Sequence, residues 1–388
     1  MKFIHSSDLQ IGKAFGTFSA EAATMLQEAR QTALRALGDA AMAAGASTML
    51  IAGDVFEREQ MSQATLQRAV ETMRAFDRLQ WHLMPGNHDY YREDGLWDRI
   101  ARTQPPQNVH LHVKPGAVSI ADDDGAPVYL LPAPLLHRSN ADDLTAYMTD
   151  ATTPEGAIRI GLAHGSIQGF GSEGDASNYV DPARCETAGL SYLAMGDWHR
   201  QMKVSDRFWY SGTPERDRFK LPPSARNSLC NGGAALLVEI TSARMVPTVR
   251  PVATGRYQWH QLDKVLTDDV QVVSLEQEIR ALDSDLGKIV LDLRARGTLS
   301  LEGRKTFEEK VLQNIGAALR ALRFDESGLV LHPTEQDLDD IDRSGYVRVA
   351  ADRLKAMAED SSDPRQAQIA GLALKRLYVE HLRQGGQS

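Results

Sequence analysis

The chain has 388 residues, more than one domain usually needs, so two or three units are expected. Hydrophobic residues make up 42% of it, enough for a substantial core, and no apolar run is long enough to read as a membrane span. A formal net charge of −9 excludes a generally adhesive nucleic-acid binder while leaving room for a local basic groove.

Met1-Lys2 leads directly into Phe3-Ile4-His5-Ser6-Ser7-Asp8, which reads as a strand rather than a secretory leader. Only Cys185 and Cys230 occur, without CxxC or metal-ligand spacing. Free thiols in a reducing cytoplasm are the expectation.

The first strand ends at Asp8 and is followed by a helical pattern over 20–44 that Gly45 stops. The next strand, over 48–52, ends at Gly53-Asp54; a second helical pattern covers 61–79. A third strand, Trp81-His82-Leu83-Met84-Pro85, runs into Gly86-Asn87-His88-Asp89. Such alternation predicts a parallel sheet with right-handed crossovers, in which ligands collect beyond the carboxyl ends of the strands. From about residue 108 short β segments take over, at 109–113, 117–120, 128–131, 157–163, 190–195, 207–210, 234–240 and 245–252. Two of them end at His164-Gly165 and at Gly196-Asp197-Trp198-His199. A two-sheet core with helices outside is the expected α/β architecture.

A composition change near Gly255 marks a boundary. Beyond it, a strand over 270–275, a helix to 286, a strand over 288–296 and a helix over 303–322 make a smaller α/β unit. Helices broken by Ser361-Ser362-Asp363-Pro364 fill 335–381, and 384–388 reads as a disordered tail. The divisions are 1–257, 258–332 and 333–388.

Five dispersed segments thus each deliver metal-grade ligands at a strand terminus. Alone, each has an ordinary reading: Gly53-Asp54 and Gly86-Asn87 as turns, His164 as a loop histidine. Together they point to a two-metal phosphoester hydrolase, in which ions roughly 3.5–4 Å apart clamp the attacking and leaving oxygens. Asp54 is the candidate bridging carboxylate, and neutral imidazoles with an Asn carbonyl keep the site from becoming too anionic for a phosphate. His88, beside Asn87, is then free to protonate the leaving oxygen as general acid.

The order Asp8, Gly53-Asp54, Gly86-Asn87-His88-Asp89, His164-Gly165 and Gly196-Asp197-Trp198-His199 resembles the calcineurin-like metallophosphoesterases. Phe3-Ile4-His5-Ser6-Ser7-Asp8, Gly53-Asp54-Val55-Phe56 and Tyr210-Ser211-Gly212-Thr213-Pro214-Glu215-Arg216 look like SbcD-type DNA repair exonucleases. The resemblance covers roughly 1–255. It implies a four-layer α/β/β/α sandwich with a smaller α/β capping domain and a C-terminal helical segment, two Mn²⁺ ions and a partner ATPase of the SbcC type. It assigns Asp8, Asp54 and His199 to the first ion, Asp54, Asn87 and His164 to the second, and the general acid to His88. The usual Asp-x-His opening is Asp8-Leu9-Gln10 here, and the usual Gly-His-x-His is Gly196-Asp197-Trp198-His199. Gln10 and Asp197 therefore join the metal set, and the oxygen-rich shell suits Mn²⁺ or Mg²⁺ better than zinc.

Of the remaining histidines, His5 reads as a partner held beneath the site. His82, His110 and His112 alternate along strands and read as paired or half-exposed. Residues 200–256 hold ten Lys/Arg against four acids, a local excess that suits a phosphate-tracking groove or a solvated surface. Arg216 and Arg218 are its candidate substrate-binding residues, and Trp198 reads as site-floor packing. Apolar stripes at Leu354, Met357, Leu372, Leu374, Leu377, Tyr378 and Leu382 either dock the ATPase or pack on the chain itself. The expected protein is a cytoplasmic exo- or endonuclease of DNA repair. Its partners are DNA, an SbcC-like coiled-coil ATPase and, in a homodimer, a second copy, with no membrane. A small-molecule phosphodiesterase or phosphatase and a catalytically impaired DNA-binding scaffold are the alternatives.

Overall fold

The structure, a computed structural model, describes residues 1–123, 126–167, 177–219, 228–230, 232–331, 346–360 and 363–385. It divides into two units, Met1–Trp259 and His260–Ser388.

The first unit opens with β1 (Lys2–Ser6), α1 (Ala20–Ala44), β2 (Thr48–Ala52), α2 (Gln63–Arg74), β3 (Gln80–Met84), α3 (Leu96–Arg102) and β4 (Val109–Leu111). Strands β5 (Val118–Asp123), β6 (Ala126–Ala133), β7 (Ile158–His164), β8 (Tyr192–Gly196), β9 (Gln201–Lys203), β10 (Phe208–Tyr210) and β11 (Ser228–Cys230) follow. The unit closes with β12 (Ala234–Glu239) and β13 (Thr248–Ala253). One sheet runs β13-β12-β1-β2-β3-β4, with β1 to β4 parallel and β12 antiparallel to β1. The other runs β11-β9-β10-β8-β7-β6-β5, with β6, β7, β8 and β10 parallel.

Alternation along each strand decides which side chains meet. Phe3, Leu50, Ala52 and Met84 of the first sheet pack against Leu130, Ile160, Leu162, Tyr192 and Ala194 of the second. Ile4, Met49, Ile51 and Leu83 face the opposite way, onto Leu34, Leu37, Leu66 and Val70 of α1 and α2. The far face of the second sheet is covered by Met148, Ile167, Val180, Cys185 and Leu190. These sit on loops and on the short helical turns Ala146–Thr149 and Arg184–Thr187, so the fourth layer of the sandwich is thin. α1 starts where Ser19 Oγ accepts from Ala22 N and stops at left-handed Gly45, as its periodicity implies. Helix α3 and the three-residue strands β9 and β11 are too short to leave a periodic signal.

The second unit is built on most of β14 (Gln258–Leu266), whose first two residues belong to the first unit, with α4 (Val270–Arg280) and β15 (Ile289–Leu299). Then α5 (Leu301–Phe307) continues through a π-helical stretch (Glu308–Ile315) into α6 (Gly316–Ala318), before β16 (Ala321–Leu331). The sheet order is β14-β15-β16, the last two parallel. The strand expected over 270–275 is instead the start of α4. Its buried residues Val272, Leu275 and Ile279 recur every three or four positions, while Val270 and Val273 are exposed. The helix expected to reach Leu322 ends at Ala318, because Leu322 already pairs with Leu291 across the sheet. Helices α7 (Tyr346–Glu359) and α8 (Pro364–Gly385) complete the unit. Ala351 and Leu374 are buried between them with Leu354 and Leu377 alongside, and Leu372 is exposed. Gln384 and Gly385 are helical, not part of a tail. The start of the expected helix over 335–345, Ser361-Ser362, the side chains of Tyr378 and Leu382, and residues 386–388 lie outside the described residues. Among the described residues no helix is long and apolar enough to cross a membrane.

Three histidines are buried in neutral form in the first unit. His5 bonds Tyr192 Oη at 2.9 Å and Met195 O at 3.1 Å, and burial pushes it down to about 3. His82 Nδ1 lies 2.9 Å from His112 Nε2 and its ring stacks on His110. Burial, then the neighbouring imidazoles, push His82 down to about 2, and burial first pushes His112 down to about 4. Because these folded-state values lie below the unfolded value near 6.5, their stability is present above that pH and is lost as the pH falls through it. Each group costs about 1.4 kcal/mol per pH unit below about 6.5. Between about pH 7.5 and about pH 5.5 the wild type should therefore lose about 1.4 kcal/mol more in urea unfolding than a His5→Phe variant. Equal losses in the two proteins would mean that His5 is not held neutral.

Candidate active site

The loops that carry Asp8 and Asp54 continue the β1–β2 pairing past the strand ends. Gly53 O accepts from Asp8 N at 3.2 Å, Asp54 O from Gln10 N at 2.9 Å and Val55 O from Ile11 N at 3.0 Å. The backbone is left-handed at Asp8 (φ 53°), Gln10 (φ 43°) and Asp54 (φ 53°), and positive again at Asp197 (φ 102°). Conformations of this kind cost about 1–3 kcal/mol each and gather at ligand clamps, held there by the surrounding structure. Gly53 has no side chain because a Cβ there would stand 2.4 Å from His164 Nδ1.

The strand ends converge. Asp8, Asp54 and His164 are buried and present ligand atoms all within 4.8 Å of one another. His164 Nδ1 lies 2.8 Å from Ala52 O, so it donates there and leaves Nε2 facing inward. That Nε2 stands 3.6 Å from Asp54 Oδ1 and 3.7 Å from Asp197 Oδ1. Asn87 Nδ2 donates to the same Asp197 oxygen at 3.2 Å. Asp8 Oδ1 and Oδ2 accept from Asp197 N at 3.3 and 3.2 Å, and His199 Nε2 lies 3.9 Å from Asp8 Oδ1. Asp8, Asp54, Asn87, His164, Asp197 and His199 are thus brought together around one cavity floor.

The donor set fits divalent cations. Asn87 Oδ1 and His164 Nε2 are buried without a hydrogen-bond partner, a costly state for polar atoms unless an ion takes their lone pairs. The charge agrees. Burial alone would push His164 down, yet the carboxylates of Asp54, Asp8 and Asp197 outweigh it and raise the imidazole to about 9. Burial, with Asp8 and Asp54 adding to it, pushes Asp197 up. A cavity that draws a proton onto its imidazole is one that lacks positive charge.

Gln10 is the candidate that stands apart. It is buried on the same loop, but its Oε1 accepts from Lys13 Nζ at 2.7 Å. His88 N donates to Asp54 Oδ1 at 2.9 Å, its Nδ1 lies 3.0 Å from Glu57 O, and its Nε2 is 3.9 Å from Asp54 Oδ2. Arg218 is exposed at the rim with Nη2 2.9 Å from His199 Nδ1, and Arg216 is half-buried two residues earlier. Trp198 packs beside Tyr210 under the Arg200 guanidinium. Much of the basic excess in 200–256 is used locally. Lys203 pairs with Asp206, and Arg207 donates to the Ser191 and Arg244 carbonyls. Lys220 and Arg226 lie outside the described residues.

Four supports escaped the sequence reading. Asp89 accepts from Gly86 N at 2.7 Å and Phe56 N at 3.0 Å, tying the loops after β2 and β3 together. Burial, then Asp54, push its carboxyl up to about 7. Asp217 Oδ2 lies 3.0 Å from His199 Nδ1 and 2.8 Å from Lys13 Nζ. Burial would raise Asp217, but His199, Arg30 and Arg218 hold it well below the usual carboxylate range. With Nδ1 held between Asp217 and Arg218, His199 keeps Nε2 turned toward Asp8. Arg30, wholly buried, donates to the carbonyls of Asp8, Leu9 and Glu215 at 2.6, 2.7 and 3.0 Å, and to Thr213 Oγ1 at 3.2 Å. Asp89 and Asp217 lie inside stretches already singled out, so their carboxylates were the available signal. For Arg30 it was a cation in register with Leu26 and Leu34, and for Lys13 there was none.

Two face-packed sheets with carboxylates, imidazoles and an amide gathered at their strand ends define a metal-dependent phosphoesterase. Residues 1–201 match the family model of the calcineurin-like phosphoesterases, more than half of the chain, and the chain belongs to that family. Among solved structures it is similar to TT1561 of Thermus thermophilus, at 11% identity and a TM-score of 0.41, covering 65% of this chain and 98% of that one. It is also similar to GAP50, the anchor in the inner membrane complex of Plasmodium, at 10% identity and a TM-score of 0.39, covering 65% and 88%. No curated protein sequence matches.

Proposed function

We propose that the chain is a cytoplasmic Mn²⁺-dependent DNA phosphodiesterase of the SbcD type, acting in repair with an SbcC-like coiled-coil ATPase and as a homodimer. The observation that carries the hydrolytic part is the pair of buried inward atoms without a hydrogen-bond partner, Asn87 Oδ1 and His164 Nε2, among the carboxylates of Asp8, Asp54 and Asp197. DNA as substrate is supported by the exposed Arg218 guanidinium beside His199 and by the SbcD-like Ser211–Arg216 loop that leads to it.

In this reading Asp54, Asn87, His164 and Asp197 hold one cation, and Asp8, Asp54 and His199 hold the other. Bound there, the ions would supply an activated water and neutralise charge building on the phosphoryl oxygens. The chain's own groups do the rest. His88, with Nδ1 directed at the Glu57 carbonyl, keeps Nε2 turned toward the half-open cavity, where as imidazolium it hands a proton to the departing oxygen. Arg218 holds the phosphate neighbouring the scissile one.

His88→Ala should keep bound metal while losing about a hundredfold or more in turnover of bis-p-nitrophenyl phosphate. Wild-type rates in that variant would end its role as acid. Relative rates on duplex DNA, the diester dye and a monoester dye test the substrate class, and a preference for the monoester would favour a phosphatase.

A further inference from the structure

The two cation positions just assigned are unequal in what surrounds them. Around Asp54, Asn87, His164 and Asp197, four loops contribute a donor each, and two of those donors have no competing partner. Around Asp8 and His199 the Asp8 carboxylate is already engaged. Asp8 accepts two bonds from Asp197 N and one from Ser7 Oγ. Gln10 Oε1 already accepts from the Lys13 ammonium at 2.7 Å, which makes it a weaker ligand.

Lys13 does more than occupy Gln10. Its Nζ also stands 2.8 Å from Asp217 Oδ2, the oxygen that lies 3.0 Å from His199 Nδ1. A chain of contacts, Gln10–Lys13–Asp217–His199, therefore flanks one cation position and not the other. Its effects share a sign. The ammonium weakens an oxygen ligand, adds a positive charge nearby, and draws off part of the negative charge that would make the His199 imidazole a stronger donor.

We infer that Lys13 is a positioning residue that splits the two cation affinities. The Asp54–Asn87–His164–Asp197 position fills first and retains its ion, and the Asp8–His199 position fills only at much higher free cation, so cation level switches the site between half-loaded and fully loaded states. This rests on the two-cation reading above.

The test is Mn²⁺ binding to the full chain, followed by equilibrium dialysis with elemental analysis and by titration calorimetry. Wild type should take up two ions in two steps separated by at least about tenfold in concentration. Lys13→Met should move the upper step about tenfold lower and leave the lower step in place. Lys13→Gln, which keeps a hydrogen-bonding group but drops the charge, should move it in the same direction and guards against a misfolded methionine variant. One step taking up two ions in wild type, or an upper step that neither substitution moves, would overturn the inference while leaving the two-cation reading intact. No uptake by any form at millimolar Mn²⁺ would instead strike the two-cation reading itself.

Discussion

Asp54→Asn should leave a folded chain that binds less than one Mn²⁺ and has lost hydrolysis by about a thousandfold or more. The substitution keeps shape and an oxygen able to accept from His88 N, so the 2.9 Å bond that seats the loop after β3 survives. What goes is a negative charge that lies next to both His164 and Asp8. Cations held close together repel, and a shared carboxylate is what offsets that repulsion. Charge stabilisation by bound ions is worth several kcal/mol at the transition state, and each 1.36 kcal/mol is a factor of about ten in rate. Elemental analysis and turnover of a diester dye on one preparation check both halves. Two retained ions with near wild-type turnover would show that residue 54 does not bridge.

Arg30→Met should lower stability by about 3–5 kcal/mol, about 10 °C in melting temperature, through a change that touches no candidate ligand side chain. The methionine fills the space but removes the donors to four carbonyls and a threonine hydroxyl; Thr213 Oγ1 still serves the Asp8 and Glu215 carbonyls, whereas Leu9 O loses its partner, and an unsatisfied buried acceptor costs about 1–3 kcal/mol. Burial presses the guanidinium below its ordinary value, and Asp217, Glu215, Glu57 and Asp8 press back, so the charge is part of a balanced set. A lysine offers no planar fork and should recover little. Thermal unfolding of the three proteins decides this. A methionine variant within about 1 kcal/mol of wild type would mean that Leu9 O and the buried Asp217 carboxylate do not depend on the guanidinium.

What could be read from residues alone divides by mechanism. Strand-terminal carboxylates and imidazoles were visible because Asp8, Gly53-Asp54, Asn87, His164 and His199 each close an apolar run, and parallel strands put such ends on one edge. The helix over Val270–Arg280 was misread because Val272-Val273 looks β-branched locally, whereas burial follows a period of three to four. Gln10 illustrates a further limit. Its place on the loop follows from sequence order, but where its amide points depends on Lys13 three residues on and Asp217 two hundred residues away. Arg30, Asp89 and Asp217 are legible only once separate loops are seen to share them, since nothing in their local spacing says what they hold.

The β1–β2 ladder does not stop where the strands stop; it runs on through Gln10 and Ile11 to Asp54 and Val55. Catalytic loops are commonly drawn from the least protected backbone of a domain, but these two are zipped to each other as firmly as a strand pair. A cation arriving here meets side chains whose main chain is already at rest, so little ordering entropy opposes its capture. Adaptation to new substrates would then fall to the rim around Arg218, where the chain is exposed, and not to the floor.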